Sequence, residues 1–159
     1  MISSTNEMLF RIQKALNLSQ NEMIEAYKLA EYNIEVSHLE NLLKKHQDKG
    51  YEVCSYEELG VFLDGLVTLK RGENPNKSKN NKVVSLTNNL ILKKLRVALE
   101  MKEPEIEIVF GLAEVELSKQ QLASLFRKET HKNFKPCSDE LLMSFLEGLD
   151  EYNYSGEES

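Results

Sequence analysis

The sequence predicts an all-α protein built as two tandem, similar helical modules of about four helices each, packed into one body. Three observations carry this expectation. The stretch LFRKETHKNFKPCSDELLMSFLEGL at 125–149 occurs in altered form at 42–66 as LLKKHQDKGYEVCSYEELGVFLDGL, at a constant offset of 137 − 54 = 83 residues. Apolar residues recur at helical spacing behind Ser-x-x-Glu or Ser-x-x-Gln patterns that read as helix starts. No sustained alternation of apolar and polar residues suggests a strand. The offset pairs Tyr51 with Phe134, Cys54 with Cys137, Ser55 with Ser138, Glu57 with Glu140, Phe62 with Phe145 and Gly65 with Gly148. It aligns 6–67 with 89–150 without a gap, and about a third of the pairs are identical. A period this long signals duplication of a small domain, not a solenoid repeat of roughly 20–50 residues.

The first helix of each module spans Asn6–Asn17 and its counterpart, with Leu9, Ile12 and Leu16 matched by Leu92, Leu95 and Leu99. The second runs over Gln20–Tyr32 behind Ser19-x-x-Glu22, and its stripe of Met23, Tyr27 and Ala30 is matched by Ile106, Phe110 and Ala113. Pro104 falls in the first turn of the later copy, where a missing N–H costs nothing. The third helix follows Ser37-x-x-Glu40, burying Leu39, Leu42 and Leu43. Its counterpart follows Ser118-x-x-Gln121, burying Leu122, Leu125 and Phe126. The fourth follows Ser55-x-x-Glu58 and buries Leu59, Phe62, Leu63 and Leu66, matched by Leu142, Phe145, Leu146 and Leu149. A module of roughly 60 residues buries too little surface to be stable alone, so the two should share a core. Leu90, Val97 and Met101 form a second apolar face on one copy of the first helix only, which suggests that this helix is covered on two sides.

The chain divides into a first helical repeat (1–70), a basic linker with an apolar docking end (71–87), a second helical repeat (88–150) and an acidic tail (151–159) expected to fray. Net charge is −6, distributed as about −5 over 6–67, +4 over 68–88, −2 over 89–150 and −3 over the tail. The linker is a basic island with Lys77, Lys79 and Lys82, followed by Val83, Val84 and Leu86, which read as an extended arm docking on the body. An acidic total argues against non-specific nucleic-acid binding. No apolar run approaches the roughly 20 residues of a membrane span, and the N-terminal residues do not read as a signal peptide. A cytoplasmic location and free cysteines follow as expectations, with no membrane association.

Cys54 and Cys137 each precede a Ser that caps a helix. A thiol there can act as a nucleophile, but the packing reading is preferred: Cys54-Ser55 and Cys137-Ser138 are structural caps, with the cysteine stapled to Leu59 or Leu142. His38, His46 and His131 lie in no metal-ligand spacing, and no Gly-rich phosphate loop occurs, so neither metal nor cofactor is assigned. The candidate binding residues are cations. Arg127, Lys128, His131, Lys132 and Lys135 surround Phe134, as Lys44, Lys45, His46 and Lys49 surround Tyr51 in the first repeat. The competing reading places these cations in the last turn of a helix, where they complement its dipole, with the aromatic plugging the core. Lys93 and Lys94 point away from the apolar face of their helix. If they converge with the loop and the linker lysines, they form one anion-binding surface; otherwise each is an ordinary solvated patch. A helix-turn-helix over 112–122, with Lys119, Gln120 and Ser124 outward, is a weak signal, because the turn has Glu116 where glycine is expected.

The segments LTNNLILKKLRVALEMKE (86–103), LAEYNIEVSHLENLLKK, CSYEELGVFLDGL and LFRKETHKNFKPCSDELLMSFLEGL resemble the YehS-like family of bacterial proteins, over almost the whole chain. The resemblance implies a cytoplasmic bacterial protein with a duplicated domain of unknown function, and it supplies no catalytic residues. The reading that follows is a small non-enzymatic binding or interaction protein, whose partner is a protein or an anionic molecule and which can also self-associate. A nucleic-acid-binding regulator using the basic surface of the second repeat is the alternative, and a cysteine-dependent enzyme comes third.

Overall fold

The structure, a computed structural model, describes residues 4–72 and 86–157, with side chains described through 153. Among the described residues there are eight helices and no strand. Helix α1 (Thr5–Leu16) starts on Ser4, whose hydroxyl accepts from Glu7 N–H, and ends on Asn17 in the left-handed region (φ 52°). Helices α2 (Gln20–Leu29) and α4 (Tyr56–Arg71) open with complete capping boxes, Ser19 with Glu22 and Ser55 with Glu58. In each box two otherwise unpaired N–H groups are satisfied reciprocally. Helix α3 (Val36–Leu42) lies between them. The second repeat follows the same order as α5 (Asn88–Ala98), α6 (Glu103–Leu112), α7 (Lys119–Leu125) and α8 (Asp139–Glu157). The turns are copied as well: Glu31 and Glu114, 83 residues apart, both adopt φ 61°.

The repeats do not close on themselves. Within each, α2 packs on α4 and α6 on α8, but α1 lies mainly against α8 and α5 mainly against α4. Each leading helix is thus covered by the last helix of the other repeat, and one continuous core runs through both. Different side-chain ties close the two crossings. Lys14 pairs with Asp150 at 3.7 Å, and Asn153 Nδ2 donates to Ala15 O at 2.6 Å. On the other side Arg71 reaches Glu100 at 3.0 Å and Val97 O at 3.1 Å, and Lys94 pairs with Asp64.

Inside each repeat one asparagine, buried at Asn6 and partly buried at Asn89, holds three pieces of chain. Asn6 Nδ2 donates to Leu42 O (3.0 Å) and Glu52 O (2.8 Å), and its Oδ1 accepts from Cys54 N (2.9 Å). Asn89 repeats this with Leu125 O (2.9 Å), Lys135 O (2.9 Å) and Cys137 N (2.8 Å). Both donors and the acceptor of the amide are used.

Several expectations are corrected. The third helix of the first repeat starts at Val36 after Glu35, which makes no side-chain cap, and Ser37 lies inside it. The true counterpart of the capping Ser118 is Glu35, 83 residues earlier, and Glu35 lacks the hydroxyl. The second apolar face is also not special to one copy. Val97 is 41% exposed, and it is Met8, Leu9, Ile12 and Ala15 on α1, and Ile91, Leu92, Leu95 and Ala98 on α5, that are buried alike. Beyond Glu151 the chain continues as helix to Glu157, where Asn153 donates to Ala15 O at the end of α1 and Tyr152 packs against the core. Of the apolar arm, Leu86 packs on the core; Val83 and Val84 lie outside the described residues.

Gly65 and Gly148 set the close crossings of α4 over α2 and α8 over α6. A Cβ on either would overlap a backbone carbonyl, that of Ala26 or Val109. Gly60, on the same helix as Gly65, has open space around the equivalent position. Gly65→Ala and Gly148→Ala should each destabilise by on the order of 3 kcal/mol, since a backbone must move. Gly60→Ala should be neutral or stabilising by up to about 1 kcal/mol. Urea unfolding of the three variants checks the contrast.

Candidate functional site

The duplication supplies an internal comparison, and the repeats diverge most at one corner, where the second helix meets the third. In the first repeat this corner is laced by polar side chains. His38 Nδ1 lies 2.9 Å from Glu52 Oε2, and its Nε2 lies 2.6 Å from Glu58 Oε2. Tyr32 donates to Glu58 (2.9 Å) and Asn41 to Glu52 (2.9 Å). The hydrogen bond to Glu52, together with that to Glu58, raises the His38 pKa, against burial acting the other way. Burial and the bond to Glu58 push Tyr32 up to about 12. Behind them Tyr27 is fully buried between Tyr32 and Phe62, and its hydroxyl finds no hydrogen-bond partner.

The second repeat has none of this lacing. The residues at the offset positions are Val115 for Tyr32, Gln121 for His38, Ser124 for Asn41, Lys135 for Glu52, Leu141 for Glu58 and Phe110 for Tyr27. Here Val115 and Gln121, in place of Tyr32 and His38, line an open groove of about 670 Å³ between α6 and the start of α7. Phe110, Val115 and Leu117 supply apolar lining, and Glu107, Glu116 and Lys119 line it with charge. Glu107 and Glu116 stand where the first repeat has Ile24 and Asn33.

The cations singled out from the sequence divide. Arg127, Lys128, His131, Lys132 and Lys135 are exposed in the α7–α8 loop. Loop backbone is pinned by Asn89 to Lys135 O and by Lys135 N to Ser124 O (3.1 Å). Among the described residues, Arg127, Lys128, Lys132, Lys135 and Lys93 form no ion pair. Lys94 is different: half-buried, it pairs with Asp64 on α4. At 100° per residue it lies about 140° around α5 from Asn89, which holds the loop. Lys94 therefore ties the two repeats together, with its ammonium held on Asp64. Lys77, Lys79 and Lys82 lie outside the described residues. The loop cations follow the helices and do not sit in their last turns, which carry no basic residue in α3 or α7. Phe134 and Tyr51 are half-buried and do not plug the core, and Tyr51 stands edge-on to His46. Ser124, expected to face outward on a DNA-reading helix, is buried, and α7 is only seven residues long.

The cysteines are buried with Leu59 and Leu142 in the core. Burial pushes both thiols up to about 12, so neither is a thiolate near neutral pH. Ser55 accepts from Glu58 N and Ser138 from Leu141 N, each at 3.0 Å. Among the described residues no group of three or more His, Cys, Asp or Glu side chains is arranged to hold a metal ion, and no helix is long and apolar enough to cross a membrane.

Sequence reasoning missed the Asn6 and Asn89 clamps, the His38 lacing and the groove. The asparagines carried a signal, as an identical polar pair at the start of an apolar helix. The other two carried none, because the repeats differ there. Comparison with known families matches the model described as a protein of unknown function (DUF1456) twice, over residues 5–72 and 88–153. The chain belongs to this family. It is also similar to the uncharacterized protein YehS of Escherichia coli (strain K12), 28% identical over 145 residues that cover 91% of this chain and 93% of that protein. No solved structure matches.

The His38 lacing predicts a pH dependence for this DUF1456 protein. A raised folded-state pKa means that His38 contributes fully below the ordinary value of about 6.5, and that the contribution is lost as pH rises through the folded-state value. The stability advantage of wild type over His38→Gln, measured as the urea midpoint, should be larger at pH 6 than at pH 8.5. A constant difference would contradict the lacing.

Proposed function

We propose that this chain is a non-enzymatic binding protein in which the first repeat serves as scaffold and the second presents the contact surface. One observation carries the reading: the same corner of the same module is filled and laced in the first repeat, and open, charged and apolar-floored in the second. Concave sites with apolar floors and a few polar groups are where ligands and partners dock. Burial of both thiols counts against the nucleophile that a cysteine enzyme would need. A cytoplasmic, bacterial setting suits a chain with two free thiols and belongs to the same proposal.

The alternative is nucleic-acid binding by the α7–α8 loop, favoured by Arg127, Lys128, Lys132 and Lys135 standing without ion pairs around Phe134. It is the weaker reading because the groove beside it is acidic and would repel phosphates.

Capture from an extract of the native host separates the two. Wild type and Asn33→Lys, a first-repeat control at the position equivalent to Glu116, should retain the same partner. Glu107→Lys combined with Glu116→Lys should retain at least about fivefold less. Equal recovery by all three would contradict the reading. A salt-dependent shift of labelled RNA or DNA that Lys132→Glu abolishes would favour the alternative.

A further inference from the structure

The second repeat carries two patches of opposite sign at the two ends of α7. At its start, the groove and the turn before it carry Glu107, Glu114 and Glu116, with Lys119 as the cation in the groove lining. At its end, residues 127–135 hold Arg127, Lys128, Lys132 and Lys135 against Glu129 alone. No member of either patch forms an ion pair among the described residues. Helix α7 has seven residues, so about 10 Å of axis separates its ends. Lys119, Gln120 and Gln121 are exposed along it.

We propose that this flank of α7 is a self-association surface, on which the acidic groove of one chain receives the α7–α8 loop of a second copy and the reverse. The inference rests on the reading that the second repeat is the contact surface, and it names the occupant. Two such flanks placed antiparallel about a two-fold axis set each acidic patch against a basic one, which makes a closed, isologous dimer and not a filament. Phe134, half-buried in the loop, is the apolar side chain that would meet the half-buried Val115 and Leu117 of the second copy's groove. The first repeat cannot offer the same surface. Several of its loop side chains are engaged internally: Lys44 Nζ donates to Lys49 O, Asp48 accepts from Lys45 N, and Glu52 meets His38 and Asn41. Its corner is filled by Tyr32 and His38.

Sedimentation velocity of the full chain tests this. At ~50 mM salt a dimer should form with rising concentration, and at ~500 mM salt it should weaken at least about tenfold, since exposed charges are then screened. Glu107→Lys with Glu116→Lys should be monomeric, and so should Lys128→Glu with Lys132→Glu. Mixing these two variants should restore a dimer, because each now complements the other and no longer itself. Restoration also shows that both variants are folded. A monomer at every salt and concentration, or a dimer that both variants leave intact, would overturn the proposal. Failure of partner capture by the groove variants is a separate readout, so a monomeric protein that still captures a partner removes the second copy as occupant and leaves the contact-surface reading standing.

Discussion

An asparagine in the first turn of each leading helix, buried at Asn6 and partly buried at Asn89, is the constraint on which the rest of the structure depends. Asn6 joins the start of α1, the last carbonyls of α3 and the segment entering α4; Asn89 does the same for α5, α7 and α8. Without the amide, two carbonyls and one N–H in each repeat would lose their partner, and where the bond is buried, as at Leu42 O and Cys54 N, each unmet group costs about 1–3 kcal/mol. The clamp also fixes where the leading helix points. Held at its start by its own repeat, each leading helix presents its apolar face to the last helix of the other, so a local hydrogen-bond set decides the packing of the whole chain.

That arrangement explains why a module of this size occurs in duplicate. Neither α1 nor α5 finds enough cover within its own repeat, and each finds it across the crossing, where Gly65 and Gly148 allow the second and fourth helices to lie close enough to form a firm support. With the core duties shared symmetrically, the surface is free to diverge. The corner between the second and third helices did so. In the first repeat Tyr32, His38, Glu52 and Glu58 tie it shut. In the second Val115, Gln121 and the carboxylates of Glu107 and Glu116 leave it open.

Helix positions, both Ser-Glu capping boxes and nearly all of the apolar stripes were legible in the sequence, because each depends on a few neighbouring residues. The partner of α1 was not legible. Helices α4 and α8 carry the same apolar residues at the same spacing, so their sequences cannot say which of them covers which leading helix. Leu90 and Val97 misled for the same reason: an apolar residue on a helix does not say what lies opposite. The start of α3 was misplaced because Ser37-x-x-Glu40 imitates a cap that the backbone does not use, while the aligned Ser118 pointed to Glu35. Lys94 looked like its neighbour Lys93 until Asp64, far away in sequence, took it as a partner. The groove is a product of small differences between aligned positions, visible only once the corner is known to be a corner.

The central claim, that a local clamp in one repeat supports the folding of both, is tested most directly by amide hydrogen exchange on Asn6→Ala. The lost bonds amount to on the order of 3 kcal/mol, and because α1 covers α8, protection should fall roughly a hundredfold in both α4 and α8. Loss of protection confined to α1 and residues 42–55, with α8 unchanged, would contradict the account.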